Sequence, residues 1–310
     1  MKKVLKIAGI VLLVIAAAGI LLLGYIGTRP AAPKDYQQRV ETGSAAEAKY
    51  MASGSFDVSV WEEPVLQAFK KYTIYYPSEL ETSDKRYPVI VLCNGSGTPV
   101  SKYPAVPRHY ASWGFIVVGT EEEYAWNGFG AEMSVRHLER LNGLRQTEEG
   151  KANPFYQKVD LERMGIVGHS QGGVGVLNAI TAQAHGDLYQ AAVSLSPTNK
   201  DLASALEWSY DASLIDIPVM LLSGAGGGDD WVVTGEQLEQ IYGDIAGSKV
   251  MARRKDTGHG EMLYASNGCV TAWFMWLLQG DEDASSVFTG TAPDILENPL
   301  YQDQRLAIVR

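Results

Sequence analysis

The chain has 310 residues, of which 46% are hydrophobic and 20% charged, enough for one large α/β domain or two small ones. Its net charge of −10 and its pI of about 5.0 exclude the broad basic surface that nucleic-acid binding requires. Two cysteines, Cys93 and Cys269, are too few for a disulfide framework, and we expect two free, buried thiols.

The first 27 residues contain a long apolar segment. Residues 7–26 carry no charge, and at ~1.5 Å per residue they would span a hydrocarbon layer of ~30 Å. Lysines at positions 2, 3 and 6 would hold the N-terminus in the cytoplasm. We therefore expect residues 1–27 to form a single-pass membrane anchor, with the rest of the chain outside the cell membrane. A signal peptide cleaved near the alanines at 16–18, which would release a secreted protein, is the alternative.

The remainder of the chain divides into a polar segment and a globular domain. Residues 28–50, with prolines at 30 and 33, predict a linker, and residues 51–310 predict a single domain. Strands are predicted at 72–77, 87–95, 115–120, 164–168, 191–197, 217–224 and 249–255, and helices at 104–113, 131–147, from 171, at 235–246 and at 261–280. This alternation predicts βαβ units around a mostly parallel sheet, whose active site would lie at the carboxyl ends of the strands.

A serine lies directly between a predicted strand and a predicted helix. The residues Gly168-His169-Ser170-Gln171-Gly172 match the pattern G-x-S-x-G. A serine on so sharp a turn has a strained backbone, and the flanking glycines allow the chain to turn tightly enough to expose the hydroxyl. The pattern therefore predicts a nucleophile at Ser170. An ordinary glycine-rich turn that opens a helix is the alternative.

A serine hydroxyl is a weak nucleophile at neutral pH and needs a base within hydrogen-bonding distance. His259 lies in the glycine-flanked loop D-T-G-H-G-E-M between the last predicted strand and the last helix, where it could reach over the strand ends. Of the other four histidines, His109 and His137 fit helix patterns and His185 follows a helix. His169 is next to the serine, but its side chain is expected to point elsewhere. We expect His259 to be the base.

A third group must orient the imidazole and stabilise its protonated form. Asp229 and Asp230 follow the glycine-rich end of the strand at 217–224, between the serine and the histidine in chain order. Either carboxylate is a candidate for the acid, and two solvated loop acids are the alternative.

The developing oxyanion requires backbone donors, since the loss of one such donor typically costs ~10²–10³ in rate. The N–H of Gln171, at the start of the helix, is one candidate. The second is expected in the loop 93–99, where the position favours the N–H of Ser96, followed by that of Gly97.

At these residues the chain resembles the α/β-hydrolase superfamily, and within it the polyester hydrolase, cutinase-like and chlorophyllase-like branch. The resemblance covers roughly residues 70–302 and rests on Y-T-I-Y-Y-P, V-I-V-L-C-N-G-S-G, G-H-S-Q-G-G, G-A-G-G-G-D-D, T-G-H-G-E-M-L and the closing A-W-F-M-W-L-L-Q-G segment. It implies an α/β-hydrolase fold with a mostly parallel central sheet and helices on both faces. It also implies the roles of nucleophile, base, acid and oxyanion donors for Ser170, His259, Asp229, Ser96 and Gln171; the family spacing to the histidine favours Asp229 over Asp230.

The chain departs from this branch at three places. Polyester-active members usually have an aromatic residue at the position of Ser96 and a methionine at that of Gln171, and they lack the extra glycine of residues 226–228. These differences leave ester hydrolysis expected and polyester turnover open. The short segment 198–216 predicts no large cap domain and an open cleft. Four residues flank the strand ends and could form an apolar acyl pocket, with core packing or simple exposure as the alternative: Tyr124, Trp126, Trp231 and Met262.

The sequence thus predicts a membrane-tethered, extracytoplasmic serine hydrolase that cleaves a small-molecule or lipid-like ester through an acyl-enzyme on Ser170. No H-E-x-x-H or comparable metal-ligand spacing is present, so we expect no metal and no cofactor. An acyltransferase with the same three residues and a catalytically silent binding module remain alternatives. The oligomeric state is left open.

Overall fold

The computed structural model describes residues 29–66, 69–147 and 150–309. Its contacts separate the residues up to Ala31 from those that start at Ala32, and the description below concerns the second unit. The expected anchor at residues 1–27 lies outside the described residues. Within the described ranges, no helix has both the length and the apolar character that a membrane span requires.

A single sheet of nine strands forms the centre of the described chain, in the order β1-β2-β4-β3-β5-β6-β7-β8-β9. Strands β3 to β8 are parallel to one another, whereas β2 and β9 run antiparallel to their neighbours. All residues of β3 are buried, as expected of a strand covered on both faces. The strands are Val58–Pro64 (β1), Lys71–Pro77 (β2), Tyr87–Cys93 (β3), Ile116–Thr120 (β4), Val159–His169 (β5), Tyr189–Leu195 (β6), Val219–Ala225 (β7), Lys249–Lys255 (β8) and Tyr301–Ala307 (β9).

The helices connect these strands, as the alternating pattern predicts. They are Tyr36–Arg39 (α1), Ala45–Met51 (α2), Ala105–Ser112 (α3), Phe129–Gly143 (α4), Gln171–Ala182 (α5), Lys200–Ala205 (α6), Gly235–Asp244 (α7), Asn267–Gln279 (α8), Glu282–Ser285 (α9) and Asp294–Glu297 (α10). Between β6 and β7 the chain forms only the short α6 and one turn of 3-10 helix, in agreement with the expected absence of a large cap. The two cysteines are free and buried, which confirms the expectation.

The last helix differs from its predicted range of 261–280. The segment starts with a 3-10 helix at His259–Leu263, and α8 begins only at Asn267. The carboxylate of Glu261 accepts a hydrogen bond from the N–H of Gly258, which closes the first turn on itself. The histidine therefore lies on a separate turn ahead of the helix.

The predicted linker at 28–50 is where the structure departs most from the sequence-based expectation. From Ala32 onward this segment belongs to the folded unit, and it contains α1 and α2. Tyr36 and Tyr50 are completely buried, and α2 packs against α8. The segment is polar overall and was therefore predicted to be a linker. Burial of its aromatic side chains nevertheless stabilises its packing against the domain. The domain therefore begins near residue 32 rather than 51.

A buried ion pair joins this N-terminal segment to the sheet. The carboxylate of Glu47 lies 2.8 Å from a guanidinium nitrogen of Arg254 on β8, and both side chains are almost completely buried. The same carboxylate accepts hydrogen bonds from the Tyr301 hydroxyl at 3.0 Å and the Asn298 amide at 2.8 Å. A buried pair is stable only when its remaining lone pairs are satisfied, and these donors provide that.

Candidate active site

Ser170 lies on the turn between β5 and α5, as the pattern predicts. Its backbone has φ 60° and ψ −122°, a conformation that costs a residue other than glycine about 1–3 kcal/mol. A Cβ atom at Gly168 would lie 2.2 Å from the carbonyl oxygen of Gly172, and one at Gly172 would lie 2.1 Å from that of Cys93. The turn therefore requires glycine at both positions.

His259 lies between the serine and an aspartate. Its Nε2 is 2.8 Å from the Ser170 hydroxyl, and its Nδ1 is 2.5 Å from Oδ1 of Asp229. Because a carboxylate only accepts hydrogen bonds, Nδ1 carries the proton, and Nε2 is left to accept from the serine. The arrangement can move the serine proton onto the imidazole while the carboxylate stabilises the resulting charge.

The two adjacent aspartates have different surroundings. Asp229 is completely buried, and its Oδ2 accepts hydrogen bonds from the Ser196 hydroxyl at 2.8 Å and from the N–H of Gly224. Asp230 forms an ion pair with Arg253, and 62% of its side chain is exposed. Only Asp229 reaches the imidazole, so the geometry favours the first of the two candidates.

A second histidine contacts the loop that carries His259. His169 is buried, and its Nε2–H donates to the backbone oxygen of His259 at 2.7 Å. Burial, together with the nearby charge of His259, lowers the pKa of His169 to about 4. The His169 ring points away from the serine hydroxyl, as expected, but the sequence provided no signal for its bond to the histidine loop.

The two expected oxyanion donors have unpaired N–H groups. Within the described residues, neither the N–H of Ser96 nor that of Gln171 donates a hydrogen bond to another group. The N–H of Gly97, the alternative donor, is already bonded to the Glu123 carbonyl at 3.0 Å. Gly95 brings the loop to the nucleophile, since a Cβ there would lie 3.7 Å from Cβ of Ser170. The geometry thus leaves Ser96 available and Gly97 not.

The loop after β4 is fixed to the helix that begins at the nucleophile. The Gln171 side chain is completely buried, and its Oε1 accepts from the N–H of Ala125 at 3.0 Å. Two turns further along α5, Asn178 donates to the carbonyl of Trp126 at 2.9 Å. Gln183, just after the end of the helix, donates to the carbonyl of Asn127 at 2.8 Å. Side chains at the two ends and in the middle of α5 therefore hold the loop at three successive residues, 125–127.

The sequence of this chain matches a known protein family. A family model described as "PETase: PET hydrolase-like" matches residues 33–233. The chain belongs to the PET hydrolase-like family. It is also similar to the bis(hydroxyethyl) terephthalate hydrolase of Streptomyces coelicolor, with 27% identity over 239 residues, which cover 75% of this chain and 69% of that protein. Membership of this family confirms the expected α/β-hydrolase fold and identifies the protein as an ester hydrolase.

The four pocket candidates of this ester hydrolase differ in their exposure. The side chains of Tyr124 and Trp231 are 65% and 87% exposed, and Trp126 is partly buried. Met262 is completely buried and presents no surface to solvent, so it does not fit the expected pocket wall. The other three remain predicted pocket residues.

The sequence did not single out the groups that hold the site in place, above all Ser196 and Asn178. Ser196 belongs to the L-S-P segment that ends the strand β6, and Asn178 lies inside an apolar helix. Both are buried polar residues. The position of Ser196 after a predicted strand and that of Asn178 among apolar helix residues are the signals that could have drawn attention to them. In the ranges that the structure describes, no cluster of three or more potential metal ligands was found.

Proposed function

We propose that this protein hydrolyses carboxylic esters through an acyl-enzyme on Ser170. The observation that carries the proposal is the continuous hydrogen-bonded chain from Asp229 through His259 to the serine hydroxyl, with distances of 2.5 and 2.8 Å. The unpaired backbone N–H groups of Ser96 and Gln171 supply the oxyanion donors.

The reaction has two halves. In the first, Nε2 of His259 removes the proton of Ser170 as Oγ attacks the ester carbonyl, and the same nitrogen then protonates the departing alkoxide, which leaves as the alcohol. In the second, Nε2 removes a proton from a water molecule, whose oxygen attacks the acyl-enzyme, and Ser170 regains its proton as the free acid departs. The charge on the carbonyl oxygen forms at the two backbone donors in both halves.

A small aromatic diester is the substrate class that we favour. The relative from Streptomyces coelicolor is named for bis(hydroxyethyl) terephthalate, a diester of this class. The exposed aromatic rings of Tyr124 and Trp231 could contact such an acyl group, since aromatic pairs favour stacking. Ser96, at a position where an aromatic residue is usual in polyester-active relatives, favours soluble esters over the polymer.

We further propose that the enzyme acts outside the cell membrane, tethered through residues 1–27. The support is the uncharged stretch 7–26 and the three lysines that precede it. Recovery of the full-length chain in the membrane fraction, with the domain accessible to protease added outside intact cells, is the expected result. Recovery mainly as a soluble secreted form, cleaved near residue 18, would contradict it.

The function is tested with Ser170→Ala, measured on the full-length protein with bis(hydroxyethyl) terephthalate and a short-chain nitrophenyl ester. Turnover should fall to a residual rate about 10³–10⁴-fold above that of the uncatalysed reaction in water, while the folded structure is retained. A fluorophosphonate probe should label the wild type and not the variant. Retention of most activity by the variant, or an unlabelled wild type, would refute the proposal.

The alternative of acyl transfer is distinguished by the products. Added primary alcohols should leave the amount of free acid released by the wild type unchanged if water is the acceptor. Loss of free acid with matching formation of a new ester would instead favour an acyltransferase.

A further inference from the structure

Ser196 occupies a backbone conformation that favours glycine. It is the first residue after β6, its φ is +44°, and it is completely buried. Its N–H donates to the carbonyl of Leu222 on β7 at 2.6 Å, so that the backbone is fixed between two strands. A side chain in this left-handed region is strained, and the strain persists only where the surroundings compensate for it.

The Ser196 hydroxyl makes one contact that accounts for its presence. Oγ donates to Oδ2 of Asp229 at 2.8 Å, and the other carboxylate oxygen, Oδ1, faces the His259 imidazole. Oδ2 has one further donor, the N–H of Gly224. The carboxylate is completely buried, so each hydrogen bond to it replaces one that water would have made and fixes the orientation of the group.

We propose that Ser196 is a positioning residue that acts through Asp229, a role that rests on the proposed function. Two donors on Oδ2 restrict rotation of the carboxylate about its Cβ–Cγ bond, and they thereby keep Oδ1 in line with Nδ1 of His259. With the backbone N–H of Gly224 as the single remaining donor, the carboxylate can rotate and the imidazole loses its fixed orientation. Because the hydroxyl is buried and donates to this carboxylate, we expect it to affect the reaction through Asp229 and not by contact with the substrate.

The first test compares Ser196 with a second buried serine, which lies two residues earlier on β6. Ser194 is also completely buried on β6, but its hydroxyl donates to the carbonyl of Gly173 at 2.9 Å and not to a residue of the proposed triad. Ser196→Ala should lower kcat roughly 10- to 100-fold, as expected for loss of a hydrogen bond to a charged group, with KM changed less than about twofold. Ser194→Ala should leave kcat within about threefold of wild type.

Ser196→Gly separates the hydroxyl from the backbone strain. Glycine removes the same hydrogen bond but adopts the positive φ without cost, so this variant should melt at a higher temperature than Ser196→Ala. If the serine acts through Asp229, both variants lose kcat to the same degree despite their different stabilities. If the serine has only a structural role, Ser196→Gly should retain the wild-type kcat, and the inference would be wrong.

A double-mutant cycle locates the effect. In the Asp229→Asn background, Ser196→Ala should lower kcat by less than about twofold, because the group through which the hydroxyl acts is already neutral. A full additional loss in that background would overturn the role. Wild-type turnover that depends on Ser170 but is insensitive to both Ser196 variants would overturn this inference and leave the proposed function intact. Absence of Ser170-dependent turnover would overturn both.

Discussion

His169 donates its Nε2–H to the backbone oxygen of His259 across 2.7 Å, and the two rings lie 4.6 Å apart. Since His169 immediately precedes Ser170, this bond joins the turn of the nucleophile to the turn of the base. Burial lowers the pKa of His169 to about 4, so the ring remains neutral and keeps one donor and one acceptor nitrogen near neutral pH.

Substitution of this histidine tests the connection between the two turns. His169→Phe keeps a ring but removes the donor, and kcat should fall by about tenfold because the His259 carbonyl is released. His109→Phe is the matched control: His109 is also buried, but its ring nitrogens contact Gln37 and Thr271. Steady-state kinetics on folded protein provide the measurement. An equal loss of kcat in both variants would show that the effect is general destabilisation.

The two adjacent aspartates provide a matched pair of variants. Asp229→Asn should lower turnover by up to ~10⁴-fold, because an amide allows the wrong imidazole tautomer. Asp230→Asn removes the charge of a largely exposed carboxylate that pairs with Arg253. The buried guanidinium keeps the Gly224 carbonyl and Asp303 as partners, so this variant should cost far less. Initial rates with one soluble ester are sufficient. The opposite ranking would transfer the acid role to Asp230.

The loop after β4 should influence substrate binding more than chemistry. Asn178→Ala removes the donor to the carbonyls of Trp126 and Ser209, and the loop should then hold the aromatic residues less firmly. Of these two bonds, only the one to Trp126 holds the loop after β4. We expect its loss to raise KM for an aromatic diester roughly three- to tenfold, with kcat for a small acetate ester unchanged. Thr181→Ala is the control, since that hydroxyl bonds to Leu177 within its own helix. Equal KM values in the two variants would contradict the prediction.

The N-terminal segment should contribute directly to stability. Glu47→Ala leaves the Arg254 guanidinium buried without its partner and should lower the free energy of unfolding by about 3–5 kcal/mol. Lys49→Ala, on the same helix, breaks an exposed pair with Asp283 and should have little effect. Urea denaturation of both variants is the measurement. Similar midpoints would indicate that this segment is not a stabilising part of the domain.

Stability should decrease as the solution becomes acidic. Burial lowers the pKa of His109 and His137 to about 3 and that of His169 to about 4, each below the value of 6.5 for an unfolded histidine. Below pH 6.5 these histidines are therefore protonated in the unfolded chain but remain neutral in the folded chain. Each histidine then lowers the free energy of unfolding by up to ~1.4 kcal/mol for each pH unit of acidification. The loss continues until the pH reaches the folded pKa values.

Two carboxyls oppose this trend. Burial raises the pKa of Glu122 from 4.5 to about 7, so its contribution is greatest below pH 4.5 and is lost as the pH rises to 7. Burial also raises the pKa of Asp294 above its usual value. Three histidines outweigh two carboxyls, and the net slope between pH 6.5 and 4.5 is a loss of stability on acidification. Urea midpoints measured at pH 7, 6 and 5 should decrease in that order. A midpoint that is constant or rises on acidification would disagree.

Local sequence patterns were sufficient for the order of the strands β2 to β8, for the longer helices among them and for the positions of Ser170 and His259. The physical reason is that these features depend on neighbouring residues. A buried parallel strand needs a continuous apolar run, and the turn at Ser170 needs glycines two residues to either side, where a Cβ would collide with backbone. The edge strands β1 and β9 were missed because their sequences, V-S-V-W-E-E-P and Y-Q-D-Q-R-L-A, do not alternate regularly between apolar and polar residues, although their burial in the fold does alternate.

Tertiary contacts separated Asp229 from Asp230, a choice that the family spacing only favoured. They also recruited Ser196 and His169 and brought the N-terminal segment into the domain. The two aspartates are chemically identical neighbours, and what separates them is that one meets His259 while the other meets Arg253. Each of these contacts joins residues that are distant in the chain, and a buried polar group is stable only with its specific partner. The sequence therefore determined which residues could carry the chemistry, and long-range packing decided which groups hold them in place.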